Sequence, residues 1–230
     1  MGSVSRKPSA VLWDMDGTLV DTEPYWMAAE TALVESYGGS WTHEDALQLV
    51  GSGLLDSAII LQNAGVAMEA EAIVSHLTDM VQESLRTQGV PFRPGARELL
   101  HSLREAGVPT GLVTMSLRRM ALSVIDLIDF EAFDIVVAGD DVDNPKPHPE
   151  PYLQAAALLD IDIAEAIVIE DSPTGVRAGL ASGALTLAVP HIVPLDHLGA
   201  HELWPTLDGR GAADLADLYD NRSAVTGATR

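Results

Sequence analysis

Ala10-Val11-Leu12-Trp13-Asp14-Met15-Asp16-Gly17-Thr18-Leu19 is the stretch that decides the fold. Its four apolar residues predict a buried strand, and two aspartates follow at once, one residue apart. Burying a carboxylate without a partner is costly. A cation that takes oxygen ligands, such as Mg²⁺, removes that cost. The pair also offers what phosphoryl transfer uses, one carboxylate to attack and a second to move a proton. An isolated Asp-x-Asp serves equally well as a turn or a helix cap, so the rest of the chain must decide.

Outward from this strand, four more short apolar runs read as strands: Thr110–Val113, Asp134–Val137, Ala166–Ile169 and Leu185–Val189. Helical patterns separate most of them, over Gly95–Ala106, Arg118–Ile128, Pro149–Leu159 and Thr174–Ser182, with Gly107 and Gly183 placed as C-terminal caps. Strands alternating with helices predict a parallel sheet in an α/β fold. The alternation breaks once. From Glu23 to Thr87 the chain reads as helices only: Glu23–Tyr37, a short helix from a Thr42/Asp45 capping box through Leu49, Leu54–Ala64 and Met68–Thr87. The expectation is a helical cap domain, residues 23–91, inserted into a core made of residues 1–22 and 92–230. Its hinges fall near Val20–Pro24 and Gly89–Pro94. The alternative is extra helices packed on a single domain. The stretch after Leu207 ends in Ser, Thr and Gly and is expected to fray.

Composition narrows the function classes. Lys and Arg number 13 against 34 Asp and Glu, a net charge of −21. Such a chain lacks the basic footprint that nucleic acid or an anionic membrane requires, so neither is an expected partner. There is no cysteine, which excludes disulfides and thiolate metal sites. No apolar run is long enough to span a bilayer, and the polar Met1 to Ser9 segment has no signal-peptide core. A cytoplasmic monomer acting on a small molecule is the expectation.

The chemistry-bearing residues fall at strand ends. Asp14 follows the first strand, Thr114 the second, and Glu170 with Asp171 the fourth. Open α/β sheets bind ligands there, outside the carboxyl ends of their strands. Each residue has a plainer reading alone. Thr114 could cap a helix, Glu170-Asp171-Ser172-Pro173 could be an ordinary helix start, and Lys146 could be a solvated loop lysine. Their joint occurrence in this order outweighs those readings.

Asp14-Met15-Asp16-Gly17-Thr18-Leu19, Thr114, Lys146-Pro147 and Glu170-Asp171-Ser172 resemble, in order, the four motifs of the haloacid dehalogenase (HAD) superfamily. The likeness is nearest to members with a helical cap after the first motif, the β-phosphoglucomutase-like phosphatases. It implies a doubly wound parallel sheet of order 3-2-1-4-5. It implies that Asp14 is the nucleophile, forming an aspartyl-phosphate, and that Asp16 is the acid and then the base. Thr114, Met115 (through its backbone N–H) and Lys146 would hold the phosphoryl group. Mg²⁺ would sit on Asp14, the Asp16 carbonyl and Asp171, with Glu170 as ligand or neighbour. Dehalogenases of the superfamily lack an aspartate at the position of Asp16, because a leaving halide needs no proton. Asp16 therefore points to a phosphate ester.

Two departures separate this chain from the mutases of the family. By the resemblance, the position of their cap-helix histidine holds Trp26, and Val50-Gly51-Ser52-Gly53-Leu54-Leu55-Asp56 has none of their basic cap residues. The expectation is a Mg²⁺-dependent phosphatase of a small phosphomonoester. A phosphosugar mutase and a non-catalytic module that binds a metal or a protein are the alternatives. Weaker candidates are Arg118 and Arg119 as anion contacts, a metal site from His191, His197 and His201, and an apolar pocket from Tyr25, Trp26, Trp41 and Met68. The expectation for the last four is that they form the cap's own core.

Overall fold

A computed structural model describes residues 6–49 and 53–227. Six parallel strands form one sheet in the order β3-β2-β1-β4-β5-β6. They are β1 (Ala10–Trp13), β2 (Thr110–Val113), β3 (Ile135–Val137), β4 (Ala166–Glu170), β5 (Leu185–Ala188) and β6 (Glu202–Leu203). β1 lies centrally, with Trp13 opposite Leu112 of β2 and Ile169 of β4. Every residue of β1, β2, β4 and β5 is buried. A parallel sheet covered on both faces needs apolar side chains on both, which is why these strands read as unbroken apolar runs.

The helices are α1 (Glu23–Ser36), α2 (His43–Leu47), α3 (Leu54–Asn63), α4 (Ala70–Gln88), α5 (Ala96–Glu105), α6 (Arg118–Asp126), α7 (Glu150–Leu158), α8 (Pro173–Ser182) and α9 (Ala212–Gly227). α2 starts with the expected capping box, Thr42 and Asp45 each bonded to the other's backbone N–H. α8 is capped by the Ser172 hydroxyl, which accepts from the N–H of Gly175, and carries Pro173 in its first turn, where a missing N–H costs nothing. α1 to α4 all lie between β1 and β2. The chain leaves and returns side by side: Val20 bridges Phe92, Asp21 N donates to Pro91 O at 2.7 Å, and Arg93 N donates to Leu19 O at 3.0 Å.

Two expectations change. β6 extends the expected order 3-2-1-4-5 by one short strand. The stretch after Leu207 does not simply fray. It forms α9, with Leu215 and Tyr219 buried in the same core cluster as Leu99, Leu103, Trp204 and Leu207. The Ser102 hydroxyl of α5 accepts from Ala212 N at 2.9 Å, so the helix start is held by tertiary contact. The last three residues, 228–230, lie outside the described residues, as do Val50, Gly51 and Ser52, where the absence of basic residues was noted, and residues 1–5. Among the described residues no helix is long and apolar enough to cross a membrane.

Tyr25, Trp41 and Met68 pack partly buried against the main core, and Trp26 is buried within it. All four are thus core-packing residues, in a cluster continuous with the sheet's own core rather than a separate one.

Candidate active site

The carboxyl ends of β1, β2 and β4 are adjacent because β1 pairs with both of the others. Asp14 continues β1, its N–H donating to Ile169 O at 3.1 Å. Its carboxylate is buried. Oδ1 accepts from Lys146 Nζ at 2.7 Å, while Oδ2 is sealed from solvent and takes no hydrogen bond. The Lys146 ammonium spends its three donors on Asp14 Oδ1, Glu170 Oε1 (2.7 Å) and the Val113 carbonyl (2.9 Å). It also lies 5.0 Å from the centre of the Tyr152 ring. So Lys146 is not a solvated loop lysine; its side chain is 4% exposed.

Glu170 is fully enclosed. Besides Lys146 it accepts from the Tyr152 hydroxyl at 2.6 Å and the Ser172 hydroxyl at 3.3 Å. Asp171 accepts from the Thr18 hydroxyl at 3.1 Å. Ligand oxygens of Asp14, Glu170 and Asp171 all lie within 4.8 Å of one another. Two glycines allow this crowding. A Cβ on Gly17, whose φ is +87°, would stand 2.0 Å from an Asp171 oxygen. A Cβ on Gly175 would stand 1.9 Å from the Glu170 carboxylate.

The electrostatics follow from packing three acids around one ammonium. Burial, then the Glu170 charge, pushes Asp14 up to about 7, although Lys146 opposes the shift. Burial, then Asp14 and Glu170, raises Asp171 well above the carboxylate range. Burial alone would lower Lys146, but the charges of Asp14 and Glu170 outweigh it and hold the ammonium protonated. Tyr152 is raised mainly by burial and then by Glu170, so it stays a hydroxyl donor. The cluster is one cation short of neutral. A divalent ion fits that deficit and the open Asp14 oxygen, since all the nearby donors are hard oxygens.

Asp16 faces another way. Its Oδ1 accepts from the Thr22 hydroxyl at 2.5 Å, and its Oδ2 from Ser116 at 2.7 Å and Thr114 at 3.3 Å. Thr114 Oγ1 in turn accepts from Ser116 N at 3.0 Å. Met115 reaches the Lys146 loop, its sulfur accepting from Lys146 N at 3.3 Å.

Every residue singled out in the motifs is thus drawn to one end of the sheet. The sequence reading missed Thr18, Thr22, Ser116, Tyr152 and Ser172. Two of them, Thr18 and Ser172, stand inside motif segments already quoted, where a hydroxyl beside a carboxylate was the available signal. Tyr152 had none, because its partner is 18 residues away. The other candidates are occupied elsewhere. Arg118 pairs with Asp141 and Arg119 with Asp79. His191 lies between Arg93 and Asp21, and His201 accepts from Thr186 N. Among the described residues Asp14, Glu170 and Asp171 are the group of potential ligands that close on a common point.

Comparison with known proteins places this arrangement in a family. A "bifunctional riboflavin kinase/FMN phosphatase" of Arabidopsis thaliana is 32% identical over 85% of this chain, which spans 52% of that longer protein. A "phosphorylated carbohydrates phosphatase" of Thermotoga maritima is 33% identical over 76% of this chain and 81% of its own. In fold, the chain is similar to the crystal structure of β-phosphoglucomutase from Clostridium difficile. The TM-score is 0.79 at 19% identity, over 94% of this chain and 99% of that one. The profile of the haloacid dehalogenase-like hydrolases matches residues 11–189, from β1 through the end of β5, and the chain belongs to that family.

Proposed function

We propose that the protein is a Mg²⁺-dependent phosphatase that hydrolyses a small phosphomonoester through an aspartyl-phosphate. The observation that carries this reading is the state of Asp14: one oxygen fixed by Lys146, the other buried and without a donor. A carboxylate held in that way has a lone pair to offer and no rotation to lose.

Asp14 attacks phosphorus in line; an Asp14 O–P bond forms as the ester P–O bond breaks. Asp16 gives a proton to the departing alkoxide and then takes one from the water that cleaves the acyl phosphate. The hydroxyls of Thr22, Ser116 and Thr114 hold its carboxyl in place. Lys146 turns one donor from the Val113 carbonyl, and Thr114 its hydroxyl from Asp16, to receive the phosphoryl oxygens. The residues that would hold the ion are Asp14, Asp171 and the Asp16 carbonyl, with Glu170 supporting from behind because its oxygens already have donors. Bound there, Mg²⁺ supplies the positive charge that lets one anion approach another. Residues 23–91 act as a cap on the core formed by 1–22 and 92–230. The paired crossings at Val20–Phe92 are its hinge, and its closure excludes bulk water.

The mutase reading rests on fold likeness alone. A mutase must hold a second phosphate, and the one cationic residue of segment 23–91, Arg86, pairs with Glu83 on the surface. A panel of phosphate esters assayed with Mg²⁺ and with EDTA tests the proposal. Turnover should require the metal and vanish in Asp14→Asn; metal-independent turnover would contradict it.

A further inference from the structure

Two side chains tie the inserted helices to the core at a distance from the acidic cluster. Arg119, in the first turn of α6, sends its guanidinium to Asp79, to Gln82 Oε1 at 2.5 Å, and to the carbonyl and hydroxyl of Ser75 at 2.8 and 3.1 Å. Gln82 returns the contact. Its Nε2 donates to the Arg119 carbonyl at 3.0 Å and to the Ser123 hydroxyl at 2.6 Å. Ser75, Asp79 and Gln82 have the spacing of one helix face. α4 also packs along α1 and α3, so what holds α4 holds the whole segment.

The tie ends where the catalytic loop begins. Leu117 and Arg118 alone separate Arg119 from Ser116, whose hydroxyl bonds to Asp16. The site itself is shut. Asp14 is 7% exposed, Ser116 6% and Thr114 1%, and Asp14 Oδ2 is sealed from solvent. A phosphate ester reaches Asp14 only when neighbouring segments part. Gly89 caps α4 at the return crossing, and Ser75 stands on an arm of about 20 Å from it, at about 1.5 Å per residue. A swing of about 10° across the helix axis moves Ser75 by roughly 3–4 Å, several times what a hydrogen bond tolerates. The bonds of Arg119 must break for that swing.

We propose that Arg119 is a latch: a positioning residue that holds α4 on α6 in the arrangement that binds the ester, and lets go when the segment swings. This rests on the reading above of residues 23–91 as the cap of a phosphatase. Arg119 and Asp79 are both partly open to solvent, so the pair is weak enough to break in each cycle and is screened by salt. Loosening the latch lowers the share of molecules in the competent arrangement, and apparent affinity falls with that share.

The test compares wild type, Arg119→Gln, Asp79→Asn and the double variant, each checked for fold by circular dichroism. Arg119→Gln should speed hydrogen exchange in peptides covering residues 14–22 and 89–94 by about threefold or more. It should raise KM for p-nitrophenyl phosphate by a similar factor, with kcat lowered by no more than about twofold. Asp79→Asn should act in the same direction, and the double variant should add little to Arg119→Gln, because both remove one contact. Salt near 0.5 M should narrow the gap between wild type and variants. A lower melting temperature with exchange and KM unchanged would make Arg119 a structural brace and overturn the inference, as would full additivity in the double variant. Absence of Mg²⁺-dependent turnover on every ester would overturn the phosphatase reading, while the exchange comparison would still decide whether Arg119 latches the segment.

Discussion

Lys146 carries a large share of the site's electrostatics. Among the described residues its ammonium is the group bonded to both Asp14 and Glu170. Removing one partner of a buried ion pair leaves the other charge uncompensated, at a cost of about 3–5 kcal/mol. Lys146→Met should lose stability on that order in urea unfolding, besides losing activity. A loss under about 1 kcal/mol would mean that the acids relax without it. Asp16 can be probed through the leaving group. A p-nitrophenolate departs without a proton, whereas an alkoxide does not. Asp16→Asn should therefore reduce kcat for an alkyl phosphate by about 10²–10⁴ and reduce it far less for p-nitrophenyl phosphate in the first, phosphoryl-transferring step. Burst kinetics separate that step from the later hydrolysis. Equal losses in the first step would argue against acid catalysis by Asp16.

At the scale of elements, the β1–α1 turn works because Gly17 has no side chain. Its φ of +87° and the 2.0 Å approach of Asp171 both exclude a Cβ. Gly17→Ala should push Asp171 away and weaken Mg²⁺ binding by tenfold or more on the order expected for lost ligand placement, read by calorimetric titration. Unchanged affinity would mean that Asp171 is not a ligand. α4 and α6 are joined by Arg119, which bonds to Asp79, Gln82 and Ser75. Those links cross some 40 residues and were invisible in the sequence, where Arg119 was a candidate anion contact. The strands were legible because a parallel sheet buried on both faces writes continuous apolar runs, as in Ala166–Glu170. β6 was not, since two half-buried residues leave no pattern. α9 was not, because Leu215, Tyr219 and the Ser102 bond hold it through distant partners. The site's motif residues were legible for a different reason: each has a plain structural use alone, but acids after β1 and β4, Thr114 after β2 and Lys146 in a loop occur together in a fixed order. The hydroxyls that steer them were not, because hydroxyls also cap helices everywhere.

Over the whole molecule, the acidic excess of 34 against 13 makes buried carboxyls the chief source of pH dependence. Burial first, and then the Glu23 charge, raises Glu30 to about 8, from an ordinary value of 4.5. Between those values the folded protein holds a proton that the unfolded chain has lost. Stability from this group is therefore greatest at low pH and falls as pH rises from about 4.5 to about 8. Glu23, raised to about 7 by burial and by Asp16 and Asp21, adds to the same slope. The wild type should lose stability across that window by about 2–4 kcal/mol more than Glu30→Gln, measured by urea unfolding. Parallel profiles would show that Glu30 is solvated. The central claim is chemical, that the Asp14 carboxylate itself takes the phosphoryl group. Acid quenching during Mg²⁺-dependent turnover, borohydride reduction and peptide mass spectrometry test it most directly. The expected result is conversion of Asp14 to homoserine, absent when EDTA is present. Reduction at a different residue, or undiminished turnover by Asp14→Asn, would contradict it.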